Sequence, residues 1–138
     1  MKLFISVFNI VIWTALFSAG CTITTTKTKN PIFSDQDKVQ KELLQLVASE
    51  SINIDGKEIT TNKKVSSELE ISIINGKDMP AGDAEIKSLG RSIASCVKRN
   101  LKDLAQFDIY KVLFVTKEEK NGVTKSKWIG NVFNSAEL

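Results

Sequence analysis

Asn121-Gly122 stands between two β-rich runs, Phe107 to Lys117 and Val123 to Phe133. No other feature of the chain narrows its fold as much. An Asn-Gly pair accepts the positive φ values that a two-residue type I′ turn demands at both central positions. Such a turn sets the register behind it, placing Glu118 opposite Lys125, Val115 opposite Trp128 and Phe114 opposite Ile129. The charge pair near the tip and the apolar pairs farther in favour the same alignment. The first strand is apolar on both sides, with Ile109, Leu113 and Val115 on one and Tyr110, Val112 and Phe114 on the other. A strand of that kind belongs inside a sheet covered on both faces, or partly covered by a partner.

Upstream, Ile86, Leu89, Ile93, Val97, Leu101 and Leu104 fall on one face of a helix expected from about Asp83 to Ala105. Gly90 and Ala94 lie beside that stripe and permit close approach to a sheet. Asn100 points near it and needs partners there, expected from the backbone of a neighbouring loop. Val65 to Ile74 alternates Leu69, Ile71 and Ile73 against Glu68, Glu70 and Ser72, the pattern of a half-buried antiparallel strand. Asp55-Gly56 predicts a small hairpin with Ile52 opposite Ile59. A first helix is expected over about Asp35 to Ser49, capped by Ser34 with Asp37 three residues on. The expected fold is α+β: an antiparallel sheet of about four to five strands, a long helix across one face and a shorter N-terminal helix. That shorter helix either joins the long one or covers the second face. In outline only, this resembles cystatin-like and other small helix-on-sheet modules, an outline that carries little about activity.

The N-terminus speaks to location instead. Lys2 precedes an apolar run that closes on Ser18-Ala19-Gly20-Cys21. A short charged start, a hydrophobic centre and small residues mark a secretory signal. By length the run also suits an uncleaved anchor, although Asn9 and Thr14 interrupt it, and an ordinary secretion signal remains open. Cys21 directly after Gly20 resembles the lipobox of bacterial lipoproteins, over Met1 to Cys21. Ser18 stands where that site usually carries Leu. The resemblance implies cleavage after residue 20 and a triacylated Cys21 as the new N-terminus. Thr22, where Asp would favour the inner membrane, implies the periplasmic face of the outer membrane.

Domain organisation follows: a signal over 1-20, Cys21 with a flexible tether over 21-33, and a single domain over 34-138. Thr22 to Asn30 is threonine-rich with no apolar period, so it is expected to be a disordered spacer. Lys27 and Lys29 there can touch anionic lipid, or be merely solvated. The net charge of +3 is too mild to argue for nucleic acid, and export argues against it further. Two cysteines in an oxidising compartment invite a disulfide. A lipidated Cys21 leaves Cys96 as a lone thiol at the edge of a helix's apolar face, without a histidine anywhere to act as base.

Candidate sites are few. Lys87, Arg91, Lys98 and Lys102 share the polar side of the long helix and form a candidate anionic docking face. The plainer reading is a solvated face whose cations suit the helix C-terminus. Glu68 and Glu70 could serve as the acid and base of a glycosidase, or be the wet side of a sheet. Trp128 and Tyr110 could stack on a sugar or peptide, but strands make them packing residues first. The chain shows no phosphate loop and no zinc spacing, so neither cofactor nor metal is expected. The reading that emerges is a non-enzymatic, lipid-anchored binding or assembly module in the bacterial envelope. Its expected partners are the membrane and another envelope protein, met through a sheet edge or the doubly apolar strand. The alternative is an envelope hydrolase of peptidoglycan or glycan using Glu68 and Glu70.

Overall fold

The computed structural model describes residues 22–138. The signal-like segment and Cys21 lie outside the described residues. The rest is α+β, in the order β1 (Thr24–Thr28), α1 (Gln36–Leu46), β2 (Ser51–Thr61), β3 (Lys64–Ile74), α2 (Asp83–Asn100), β4 (Ile109–Lys120) and β5 (Val123–Asn134). A 3-10 turn, Ser135–Glu137, follows β5. One five-stranded sheet holds the strands in sequential order.

The sheet is mixed, not purely antiparallel. β3 and β4 run parallel, with Leu69 beside Tyr110 and Ile73 beside Phe114, and every other pairing is antiparallel. Side-chain alternation has the same period of two in both arrangements, so it cannot report strand direction. Direction is decided by the connection. α2 carries the chain back along the sheet before β4 begins, as a parallel crossover requires. Asp108 pins this join, its Oδ2 accepting from the backbone N–H and the hydroxyl of Ser67, both at 2.8 Å.

Asp55-Gly56 is not a turn. Both residues sit inside β2, and the chain reverses at Asn62 and Lys63, whose φ angles are 50° and 68°. Ile59 therefore pairs with Ser66, and Ile52 with Ile73. Gly56 is required for a different reason. Lys29 donates its N–H to the Gly56 carbonyl at 2.9 Å, and a Cβ on Gly56 would meet both the Lys29 carbonyl oxygen and the Phe107 ring. The threonine-rich stretch is likewise ordered. Thr24–Thr28 pairs antiparallel with Lys57–Thr61 as an edge strand, although all five residues are exposed. Threonine has high β propensity, and an available sheet edge supplies the hydrogen bonds an isolated polar segment lacks.

α1 is capped by Asp35, not Ser34: its Oδ1 accepts from the Lys38 N–H at 3.0 Å, while the Ser34 N–H donates to the Asn100 carbonyl. α2 ends at Asn100, so Leu104 leaves the apolar stripe and is exposed. Val39 and Leu43 of α1 join Ile93 and Val97 of α2 against Leu69, Ile71, Tyr110 and Val112 in one core. Both helices thus share a face. The other face, with Glu68, Glu70, Leu113 and Val115, has no helix over it among the described residues.

Tyr110 is fully buried, and its hydroxyl has no hydrogen-bond partner among the described residues. Burial pushes the phenol up to about 12. Removing an unpaired buried hydroxyl relieves a desolvation penalty, so Tyr110→Phe is expected to gain about 1 kcal/mol. A raised urea midpoint at unchanged slope would register the gain. A lowered midpoint would show that the hydroxyl is satisfied.

Candidate functional site

The turn chemistry of Asn121-Gly122 builds the tip of an exposed hairpin. Both residues take positive φ, 54° and 73°, and the register behind them pairs Glu118 with Lys125, Val115 with Trp128 and Phe114 with Ile129, as expected. Ile74 is the last β3 residue beside β4, at Val115. Asn75 closes that corner, donating its N–H to the Val115 carbonyl at 2.8 Å and accepting from the Lys117 N–H at 2.7 Å. Beyond it β4 and β5 continue as a two-stranded arm. Five further residues carry the arm about 17 Å past the end of β3.

β5 is the outer strand, with no neighbour on its far side among the described residues. Along it Trp128 is 69% exposed, Val132 58% and Ile129 53%. Alternation divides them. Ile129 shares the helix-bearing face with its partner Phe114, while Trp128 and Val132 share the open face with Leu113 and Val115. Gly130 makes the open-face arrangement possible. A Cβ there would fall 2.8 Å from Leu113 Cδ2 and 3.5 Å from the Trp128 ring, so the bare backbone lets these side chains lie across it. On the helix side, Met79, Pro80, Ile86, Phe114, Lys127 and Ile129 line an open groove of about 580 Å³. Lys125 and Lys127, both exposed, leave its nearest strand cationic. A largely apolar groove beside an unpaired strand edge can take an extended chain whose alternate side chains enter it.

Tyr110 and Trp128, considered together from sequence, separate: the first is core, the second is surface. The signal that Trp128 has no cover was present in β4, whose two apolar faces ask for more covering layers than two helices supply.

Other candidates do not assemble into sites. Glu68 and Glu70 stand on the open face between lysines. Glu68 Oε2 lies 3.5 Å from Lys57 Nζ and 3.4 Å from Lys111 Nζ, and Glu70 Oε2 lies 3.9 Å from Lys57 Nζ. A glycosidase pair needs a sugar between its carboxylates, and here ammonium groups hold that ground. The basic row on α2 is divided. Arg91 donates to the Glu137 carbonyl at 2.6 Å and lies over the Phe133 ring, and Lys98 donates to the carbonyls of Ser135 and Leu138. These two cations fasten the 3-10 turn to the helix. Lys87 is exposed, and Lys102 lies beyond the helix end, so no continuous four-cation face forms.

Cys96 is fully buried, inside the core and not at the edge of the apolar face. Its thiol donates to Glu42 Oε2 at 3.4 Å, and burial pushes it up to about 11, far from a thiolate nucleophile. The same Glu42 oxygen accepts from Asn100 at 2.9 Å and Arg99 at 3.0 Å. Hydrogen bonding from Asn100, then Arg99 and Cys96, holds the Glu42 carboxyl down at about 2. Asn100 therefore ties α2 to α1, where a loop backbone was expected. Among the described residues, no group of His, Cys, Asp or Glu could hold a metal ion, and no helix is long and apolar enough to cross a membrane. Comparisons with family models, curated proteins and solved structures find no match to this chain.

Proposed function

We propose that this protein is a lipid-anchored binding module of the bacterial envelope, held at Cys21 and facing the periplasm from the outer membrane. Along β5 it receives an extended segment of another envelope protein. The observation that carries this reading is the edge of twelve-residue β5, unpaired among the described residues, which exposes Trp128 and Val132 on one face and Ile129 on the other. Sheet edges in soluble proteins are ordinarily shortened, charged or covered, because an unpaired row of N–H and C=O groups invites another strand. The opposite edge obeys that rule, since β1 is five residues of exposed threonine and lysine. β5 departs from it at Trp128, Ile129 and Val132. A sixth strand there would gain main-chain hydrogen bonds, and its alternate side chains would reach the groove under Ile129 and the shelf formed by Trp128 and Leu113. Lys125 and Lys127 favour an acidic or neutral incoming segment over a basic one.

A photoreactive residue at Val132 in intact cells tests the proposal. The expected adduct is one envelope protein joined through an extended segment, with no such adduct from the same probe at exposed Lys41 on α1. Trp128→Ala combined with Ile129→Ala should lower its yield by roughly tenfold or more, because central apolar anchors dominate such interfaces. Equal labelling from Lys41, or a yield indifferent to the paired substitution, would remove β5 as the interface. An adduct of twice the protein's own mass would replace the foreign segment with a second copy. The anchor has its own check: Cys21→Ser should move the protein from the membrane fraction to the soluble periplasm.

A further inference from the structure

The ordered strand at the start of the domain fixes which end of the molecule a bilayer would meet. Only Thr22 and Ile23 separate Cys21 from β1, a reach of about 10 Å even when extended. Thr24 lies level with Thr61, at the β2–β3 turn, and the turn residue Asn62 donates its N–H to the Ile23 carbonyl at 3.3 Å. The described chain therefore begins at the end of the sheet that carries Asn62, Lys63 and Lys64.

That end has an interfacial composition. Ile23 is 70% exposed and Val65 56%. Lys63 and Lys64 are exposed between them, and the acidic groups Glu58 and Asp108 stand three residues farther along β3, at the level of Ser67. We infer that Ile23, Lys63, Lys64 and Val65 form a membrane-seating surface for a phospholipid bilayer. The apolar pair enters the headgroup boundary while the lysines meet lipid phosphates. This rests on the lipid anchor proposed above and adds an orientation to it.

The sheet then stands away from the membrane. The eleven-residue β3 separates the level of Lys64 from that of Ile74, where Val115 and Trp128 also lie, a rise of about 33 Å. The arm ends farther out still. β5 is thereby presented away from the bilayer, toward the space where an envelope partner would be.

Cleavage after residue 20 removes Trp13 and leaves Trp128 as the single tryptophan, a built-in depth probe. The processed protein is reconstituted in phosphatidylethanolamine–phosphatidylglycerol vesicles with brominated acyl chains, which quench tryptophan within the membrane. Trp128 emission should stay unchanged, whereas Ile23→Trp with Trp128→Phe should lose roughly half its emission, as for a residue at the headgroup boundary. Adding Lys63→Glu and Lys64→Glu should restore much of that loss. Quenched Trp128, or an unquenched probe at position 23, in protein that floats with the vesicles overturns the orientation and leaves the anchor standing. Processed protein that fails to float, or a Cys21→Ser form that floats equally well, takes down the anchor and the orientation together.

Discussion

Gly56→Ala is expected to cost about 3 kcal/mol of folding stability, because the added methyl group meets backbone and a buried ring at once. The reason is local and has no slack. The new methyl would stand 2.7 Å from the Phe107 ring and closer still to the Lys29 carbonyl oxygen. Phe107 is 1% exposed and packed within the core, so its ring cannot swing into solvent. Lys29 is main chain, held by its own hydrogen bond to Gly56. Relief requires lifting the segment after β1 off the sheet or tilting Phe107 into its neighbours. Urea unfolding of the Cys21→Ser form, with and without the substitution, measures the cost. A value below about 0.5 kcal/mol would show that this contact yields freely. Phe107→Leu should recover part of the loss in the Gly56→Ala background while destabilising the parent, a coupling that only direct contact produces.

Asp108→Ala should cost about 1–2 kcal/mol, less than a buried charge pair because the aspartate is exposed and its bonds are screened by solvent. It removes two charge-assisted bonds to Ser67, which is only 6% exposed, so its N–H is left without that partner. The site matters because it closes the parallel join between β3 and β4. Asp108→Asn keeps one acceptor and should lose less. The two substitutions are compared by urea midpoint at neutral pH.

The same bonds predict an acid response. Accepting from the Ser67 N–H and hydroxyl holds the Asp108 carboxyl below its ordinary value of 3.8, and Glu42 is held down at about 2 from 4.5. A carboxylate whose pKa is lowered by folding contributes stability above its unfolded pKa and loses it as pH falls through the folded one. Stability should therefore decline as pH drops from about 4.5 toward 2. Glu42→Gln and Asp108→Asn together should flatten that decline, and an unchanged acid slope in the double variant would refute the assignment.

How much of this was legible beforehand depends on the range of the interaction. The β4–β5 hairpin was readable residue by residue, because an Asn-Gly turn and its cross-strand pairs lie within a dozen positions of each other. The amphipathic span of α2 was readable for the same reason. Asp55-Gly56 misled because the composition of a turn and of a crowded strand position can be identical. What distinguishes them is Phe107, some fifty positions away. The threonine stretch misled in a similar manner. Alone it has nothing to pack, and only β2 supplies the ladder that orders it. Candidate sites followed the same division. The four cations read as one helical row do not stay together: Lys102 falls past the end of α2, and the carbonyls that engage Arg91 and Lys98 come from the far end of the chain.

Sequence alone determined the local elements that periodicity and turn chemistry encode: two helices, the β3 alternation, and a terminal hairpin in register. Tertiary structure alone decided that β3 and β4 run parallel, that the second reversal falls at Asn62-Lys63, and that Trp128 faces solvent. Side-chain alternation repeats every two residues whatever the neighbouring strand's direction or cover. The choice among neighbours is made by groups distant in sequence, through the crossover of α2, the clamp of Asp108 on Ser67 and the ring of Phe107 against Gly56.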